Sequence, residues 1–226
     1  MNLKSSTESS DPAHLATRQQ ILEAAGEVFA EVGFREATVR EICHRAKVNN
    51  AAINYHFGDK ETLYAEVLRY SQEQAHEKYP PLLNVDPTAP PEEKLRAFIH
   101  SLLLRIFEKG PIAWHGKLMS REMVDPSAAL DSIITERIRP MAEQLRGLVA
   151  DILQRPIGDE VVRLCSFSIV SQCVFYHHCR PVLTRLYPNQ PPLDTLGAAR
   201  LADHITRFSL AAMKNLPANP TPSILT

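Results

Sequence analysis

Residues 48–64 read VNNAAINYHFGDKETLY, and this stretch decides the fold. Its first half offers only Ile53 and Phe57 as plain core residues, among three asparagines, two alanines, a tyrosine and a histidine. Ile53 and Phe57 are four apart, so a helix puts both on one face and leaves the polar and small residues on the other. Asn49 or Asn50 supplies the N-cap of that helix, which is expected over about Asn50 to Phe57. Gly58-Asp59 breaks the chain, and Asp59 can cap a fourth helix carrying Leu63, Val67 and Leu68.

Upstream, Ile21, Ala25, Val28, Phe29 and Val32 form one stripe of a first helix that Gly33 ends. Thr38 precedes a short helix with Val39, Ile42 and Ala46 on one face. Glu41 stands three residues after Thr38, the capping-box spacing that satisfies N–H groups at both positions. Two short helices joined by the tight turn Ala46-Lys47-Val48 have the spacing of a helix-turn-helix. In that motif the second helix enters the DNA major groove and keeps only enough apolar residues to dock on the first helices. Ile53 and Phe57 dock, while Asn50, Ala51, Ala52, Asn54, Tyr55 and His56 are left over. Asparagine makes paired hydrogen bonds to adenine, and an alanine methyl meets the thymine methyl. Tyr55 and His56 suit phosphate hydrogen bonds. Lys60 can hold a phosphate with its charge and with the N–H groups of the helix it starts. Thr38 and Arg40 lie near the groove edge. A polar surface helix without a partner is the plain alternative, and the surrounding pattern argues against it.

The 48 residues from Thr17 to Tyr64 resemble the DNA-binding domain of the TetR family of bacterial transcriptional regulators. Ile21, Leu22, Ala24, Ala25, Phe29, Gly33, Thr38, Ile42, Ala46, Val48, Ile53, Tyr55, His56, Phe57, Lys60 and Leu63 carry the likeness. It implies that Asn49 to His56 form the recognition helix and its cap, and that Thr38, Arg40 and Lys60 touch the DNA backbone or an outer base. Three positions depart from the family pattern. Lys47 replaces the turn glycine, at a strain of roughly 1 kcal/mol if φ is positive there. Asn49 replaces the commoner serine cap. Asn54 replaces a frequent tyrosine and alters base preference. The tracts REMVDPS (121–127) and CVFYHHCRPVLTRLYP (173–188) resemble the CecR-type subgroup.

The 226 residues are 44% hydrophobic and 23% charged, an ordinary soluble composition with room for a large core. A formal net charge of −1 excludes a globally basic nucleic-acid binder and leaves room for a local basic patch. No apolar run approaches the roughly 20 residues of a membrane span, and the N-terminus lacks an apolar signal region. Cys43, Cys165, Cys173 and Cys179 lie in helical patterns, which fits a reducing cytoplasm better than a disulfide framework. The expected organisation is a disordered tail over 1–14, the DNA-binding domain over 15–75, a helical effector-binding and dimerisation domain over 76–216, and a tail over 217–226.

A proline-rich stretch over 79–94 cannot continue a helix and is read as a loop within or at the edge of the second domain. Leu95, Phe98, Ile99, Leu102, Leu103 and Ile106 then form a helical stripe stopped by Gly110-Pro111, and a shorter helix follows within 112–124. A long helix is expected from about Pro126 to Gln154, kinked at Pro140. The segment 160–179 is apolar nearly all round and is expected to be buried. The last helix, over 195–216, is rich in alanine, and no strand is expected. A helix with two apolar faces needs two partners. Segments 160–179 and 195–216 therefore predict a two-fold homodimer through four helices, with a larger monomeric core as the alternative.

The resemblance also implies a small organic effector and no cofactor. Phe107, Trp114, His115, Met119, Arg121, Phe167, Phe175 and His178 are the candidate pocket residues, with simple packing as the alternative for each. Cys173 and His177 at i, i+4 form a usable metal-ligand pair, with His178 and Cys179 beside them. No second pair completes the site, so no metal is assigned. A thiol switch has no lowered thiol pKa to support it in the sequence. HExxH, a glycine-rich phosphate loop and GxSxG are all missing, and Arg121, Glu122 and Asp125 are ordinary helix residues, so no catalysis is assigned.

The expectation is an all-α protein: an N-terminal three-helix helix-turn-helix DNA-binding domain plus a C-terminal helical ligand-binding and dimerisation domain. It would read a palindromic double-stranded operator with Asn49 to His56, as a repressor released by a small-molecule effector. The rivals are an activator or dual regulator, a metal- or thiol-responsive regulator using residues 173–179, and a helix-turn-helix that has lost DNA binding.

Overall fold

A computed structural model describes residues 12–108, 114–189, 191 and 193–216. Among these residues the chain is helical and has no strand. The elements are α1 (Pro12–Glu36), α2 (Val39–Ala46), α3 (Asn50–Phe57), α4 (Lys60–Lys78), α5 (Pro91–Phe107), α6 (Trp114–Val124), α7 (Ala129–Ile133), a π turn (Ile134–Ile138), α8 (Arg139–Leu153), α9 (Glu160–His178), α10 (Arg180–Leu186) and α11 (Thr195–Lys214). Most of the expected N-terminal tail, the C-terminal tail from 217, and the Gly110-Pro111 stop lie outside the described residues. The chain divides into two compact units between Tyr70 and Ser71, a boundary that falls inside α4.

The first unit is built on the apolar stripe of α1. Ile21, Ala25, Val28 and Phe29 are buried together with Ile42, Ala46, Ile53, Phe57, Leu63, Val67 and Leu68. Phe29 and Tyr64 meet edge to face at 4.8 Å. Val32, on the same stripe, is exposed. It lies one residue before Gly33, whose φ of 87° and ψ of 170° break α1 in a conformation open to glycine. Thr38 caps α2 by accepting from the Glu41 N–H at 3.1 Å. The other half of the expected capping box is replaced. The Glu41 carboxylate accepts from Arg45 Nε at 2.8 Å, because a guanidinium one turn along offers a charge-assisted bond.

Lys47 ends α2 in the left-handed region, at φ 52° and ψ 39°, and its N–H reaches the Cys43 and His44 carbonyls. A side chain there is strained, and glycine relieves the strain while adding freedom to the unfolded chain. Lys47→Gly is therefore expected to raise the unfolding free energy by about 0.5–1 kcal/mol in urea titrations. A decrease would show that the lysine side chain makes a stabilising contact stronger than the strain.

In the second unit α5 is central, packed by α6, α8, α9 and α11. Leu95, Phe98, Ile99, Leu103 and Phe107 of α5 share a core with Leu145, Val149, Val162, Ile169, Ala202 and Ile205. The long helix expected from Pro126 to Gln154 is interrupted by the π turn, where the Arg139 N–H reaches the Ile134 carbonyl five residues back. Pro140 has no N–H to give the Glu136 carbonyl and its ring crowds that oxygen, so the ladder widens just ahead of it. The α10 helix was not expected from periodicity; Pro181 starts it from a position that needs no N–H donor. Within the single chain α9 buries one face only, through Val162, Ser166, Ile169 and Cys173. Leu164, Phe167 and Phe175 on its other face are exposed in the single chain, so of the two apolar faces expected of this helix one is buried within its own unit and the other is left uncovered.

Candidate DNA-reading face and effector cavity

The cap of α3 fixes its orientation. Asn49 Oδ1 accepts from the Ala52 N–H at 3.0 Å. Ile53 and Phe57 are buried and hold the helix to the unit, with the Arg18 guanidinium 4.9 Å from the centre of the Phe57 ring. Asn50, Ala51, Asn54 and Tyr55 face outward, Tyr55 with 75% of its surface exposed, and Ala52 is half-buried. Asn50 and Asn54 are one turn apart on that face, so both amides are presented to the same side. Thr38 and Arg40 are also exposed. Asn54→Ala is expected to weaken binding to the preferred operator by about 1–3 kcal/mol and to leave non-specific DNA unaffected. Titrated gel shifts on the two duplexes measure this; equal losses on both would rule out base reading by Asn54.

Two candidate DNA contacts are partly used inside the protein. His56 turns toward His14, their rings 4.4 Å apart, and its Nδ1 is buried with no hydrogen-bond partner. Burial lowers its pKa, and the charges of His14 and Arg18 lower it further. A neutral His56 therefore brings no positive charge to a phosphate. Lys60 Nζ donates to the Ala37 carbonyl at 2.9 Å and to the Arg35 carbonyl at 3.3 Å, and lies 4.7 Å from the centre of the Phe34 ring. It closes the carbonyl end of α1, and one of its three N–H donors is left for a phosphate.

Two cavities of the second unit bear on function. The larger, of about 1040 Å³, is an open groove between α9, α10 and α11, with Phe175, Tyr176, Leu183, Tyr187 and Arg207 on its walls. The smaller, of about 320 Å³, is walled by the end of α4, by α5 and by the π turn and α8, through Gln72, His76, Arg105, Glu136, Met141 and Gln144. The eight sequence candidates do not converge on one pocket. Phe107 and Trp114 are buried core residues, and Phe175 lines the larger groove. Arg121 is half-buried on α6, and Phe167 and His178 are exposed on α9; none of the three lines either cavity. Met119 and His115 line neither cavity, but each interacts with a residue of the smaller one. Met119 Sδ accepts from Gln72 Nε2 at 3.2 Å. The His115 ring nitrogen Nδ1 is sealed off without a partner, although part of the residue reaches solvent. Burial pushes its pKa down to about 4, helped by the charges of Arg105 and His177. The sequence reading missed Arg105, whose signal was a lone cation inside the apolar run LLLRIF (102–107).

All four cysteines are free. Cys173 is buried and its thiol is pushed up to about 12 by desolvation, the opposite of a reactive thiolate. Among the described residues no three His, Cys, Asp or Glu side chains converge as a metal site.

Residues 21–67 match the family described as bacterial regulatory proteins, tetR family. Residues 91–213 match the family described as the C-terminal domain of the HTH-type transcriptional dual regulator CecR. The HTH-type transcriptional repressor NicS of Pseudomonas putida is 31% identical over 211 residues, 88% of this chain and 92% of that protein. A TetR-like transcriptional regulator from Rhodococcus sp. RHA1 superposes with a TM-score of 0.63 at 22% identity, over 86% of this chain and 96% of that one. AibR, solved in complex with isovaleryl coenzyme A and operator DNA, superposes with a TM-score of 0.62 at 18% identity, over 85% of this chain and 97% of that one. The two superpositions are likenesses of fold. Among the described residues no helix is long and apolar enough to cross a membrane. With a helix-turn-helix whose second helix is capped by Asn49 and matched relatives along both units, the chain is a DNA-binding transcriptional regulator that belongs to the TetR family, with a C-terminal domain of the CecR type.

Proposed function

We propose that this regulator is a homodimeric repressor. Each subunit places α3 in a major groove of a palindromic operator, and the dimer leaves DNA when a small organic effector occupies the second unit. The observation that carries the reading is α3 itself. Two buried residues, Ile53 and Phe57, anchor a helix whose outward Asn50, Ala51, Asn54 and Tyr55 are small or polar and suited to base edges. NicS is named a repressor. The AibR structure holds an acyl coenzyme A and operator DNA in a protein of the same fold.

Dimerisation is assigned to the outer faces of α9 and α11. Leu164, Phe167, Phe175, Leu196 and Phe208 expose large apolar side chains there. Such a patch on one subunit meets the same patch on its two-fold mate. The larger groove shares Phe175 with that face and is read as part of the interface. The smaller cavity is then the effector's place. An effector acts only if it binds the DNA-competent and incompetent states with different affinity. Helix α4 is a suitable transmitter, since it begins at Lys60 and carries Gln72 and His76 into the cavity wall.

Gel shifts with the DNA upstream of the protein's own gene test the reading. The expected result is a saturable, sequence-specific complex that lowers transcription in vitro. The same complex with raised transcription would make the protein an activator. No specific complex on that DNA or on neighbouring promoters would contradict DNA reading by α3.

A further inference from the structure

Arg105 lies in the middle of α5 with 3% of its surface exposed. Its Nε donates to the Ser101 carbonyl at 3.3 Å and its Nη1 to Met141 Sδ at 2.7 Å. Its Nη2 is buried with no hydrogen-bond partner. The acceptors it has are a backbone carbonyl one turn back and a thioether, both neutral and the second weak. Burial lowers its pKa to about 10 with no acidic neighbour offsetting the effect, so the guanidinium stays charged at neutral pH. A buried cation without a counter-charge is strongly unfavourable, and this one lines a cavity of about 320 Å³, near the lower end of the range for small-molecule sites.

The remaining walls define what could neutralise it. Gln72 and Gln144 bring amides, and Pro81, Pro140 and Met141 bring apolar surface. Arg137 also lines the cavity but is held by Glu73 at 2.6 Å. His76 and Glu136 are exposed at the wall. The π turn ahead of Pro140 places both Glu136 and Arg137 there. One uncompensated cation matches one negative charge, and the Glu136 carboxylate opposes a second. The amides and apolar surface suit an organic body larger than an inorganic ion.

We propose that this cavity binds a small organic monocarboxylate, whose oxygens take the free Nη2 edge of Arg105, and that this is the class of the effector. The site stands on the cavity and Arg105 alone, whereas the effector role rests on the ligand-released regulator proposed above. A carboxylate in this position completes the bidentate pairing that the guanidinium fork favours.

Isothermal titration and thermal unfolding of the full chain with benzoate and hexanoate, against benzamide and hexanamide, test the site. Both acids are expected to bind and raise Tm, and the neutral amides are not. Arg105→Met is expected to weaken acid binding by at least about a hundredfold, while the ligand-free Tm stays level or rises because a buried unpaired charge has been removed. Arg105→Lys, which keeps the cation and loses the fork, is expected to bind the acids roughly tenfold more weakly. Equal binding of acids and amides, no binding of either acid, or unchanged acid binding in the Lys variant would overturn the site. Gel shifts separate the two claims. Acid binding that leaves operator affinity unchanged overturns the effector role and leaves the site standing. Operator binding without acid binding overturns the site and leaves the regulator standing.

Discussion

Replacing Phe167 and Phe208 together by glutamate is expected to turn the protein into a monomer and to lower its operator affinity by about 10²–10⁴-fold. Both rings are mostly exposed in the single chain, at 56% and 60% of their surface, so neither holds the subunit together. They lie on α9 and α11, the helices that also expose Leu164 and Leu196, of which Leu196 is 89% exposed. In a two-fold interface each substitution occurs once on either subunit, so two buried charges are introduced for every position changed and the penalty is doubled by symmetry. The loss on DNA follows from linkage. A dimer that has bound one half-site holds its second reading helix at high effective concentration over the other, and a monomer does not. Light scattering after gel filtration reads the mass, and gel shifts on half-site and full-site duplexes read the affinity. Monomers that still bind the full site as tightly as the parent, or variants that remain dimeric, would remove α9 and α11 from the interface.

Acidification is expected to destabilise the protein between about pH 6.5 and pH 4. His115, His177, His76, His100 and His56 all have pKa values lowered in the fold, each chiefly by burial. A histidine with a lowered folded-state pKa favours the native state while it is neutral. The unfolded chain takes up the proton first, near pH 6.5, so stability is present above that value and falls as pH drops. For His115 the fall ends at its folded pKa of about 4. The difference from 6.5 corresponds to at most about 3.5 kcal/mol, reduced by the part of the residue that reaches solvent. Asp59, Asp86 and Asp159, lowered by local hydrogen bonds, extend the loss to more acid pH. Urea unfolding from pH 7.5 to 4.5 measures the slope, and His115→Gln should flatten it. Stability that is constant or rises over this range, or an unchanged slope in the variant, would contradict the account.

The geometry of the helix-turn-helix was largely legible in the sequence because its physics is local. Asn49 as cap, Ile53 and Phe57 as anchors and a left-handed Lys47 all follow from neighbours within a few residues. Where long-range contacts decide, the sequence was less informative. His56 sits on α3, but burial against α1, with the charges of His14 and Arg18, makes it a neutral ring whose Nδ1 is enclosed. The charge of Lys60 suggests a phosphate contact, and the carbonyls it closes lie more than twenty positions away at Arg35 and Ala37. The pocket was the hardest part. Aromatic side chains mark a core as readily as a ligand site, and Phe107 and Trp114 prove to be packed. In the sequence Arg105 looks solvated, as a cation at one position of an amphipathic stripe does; only its neighbours on α4 and α8 show that it is enclosed. The exposed half of α9 is the converse case. Its apolar pattern encodes a surface that one chain does not cover.

The most direct test of the central claim is a selection of bound duplexes from a random DNA library with the purified full-length protein. The account predicts enrichment of an inverted repeat with two half-sites, and an altered half-site preference when Asn54 is replaced by alanine. Absence of any enriched sequence, or enrichment of a motif indifferent to Asn50 and Asn54, would contradict it.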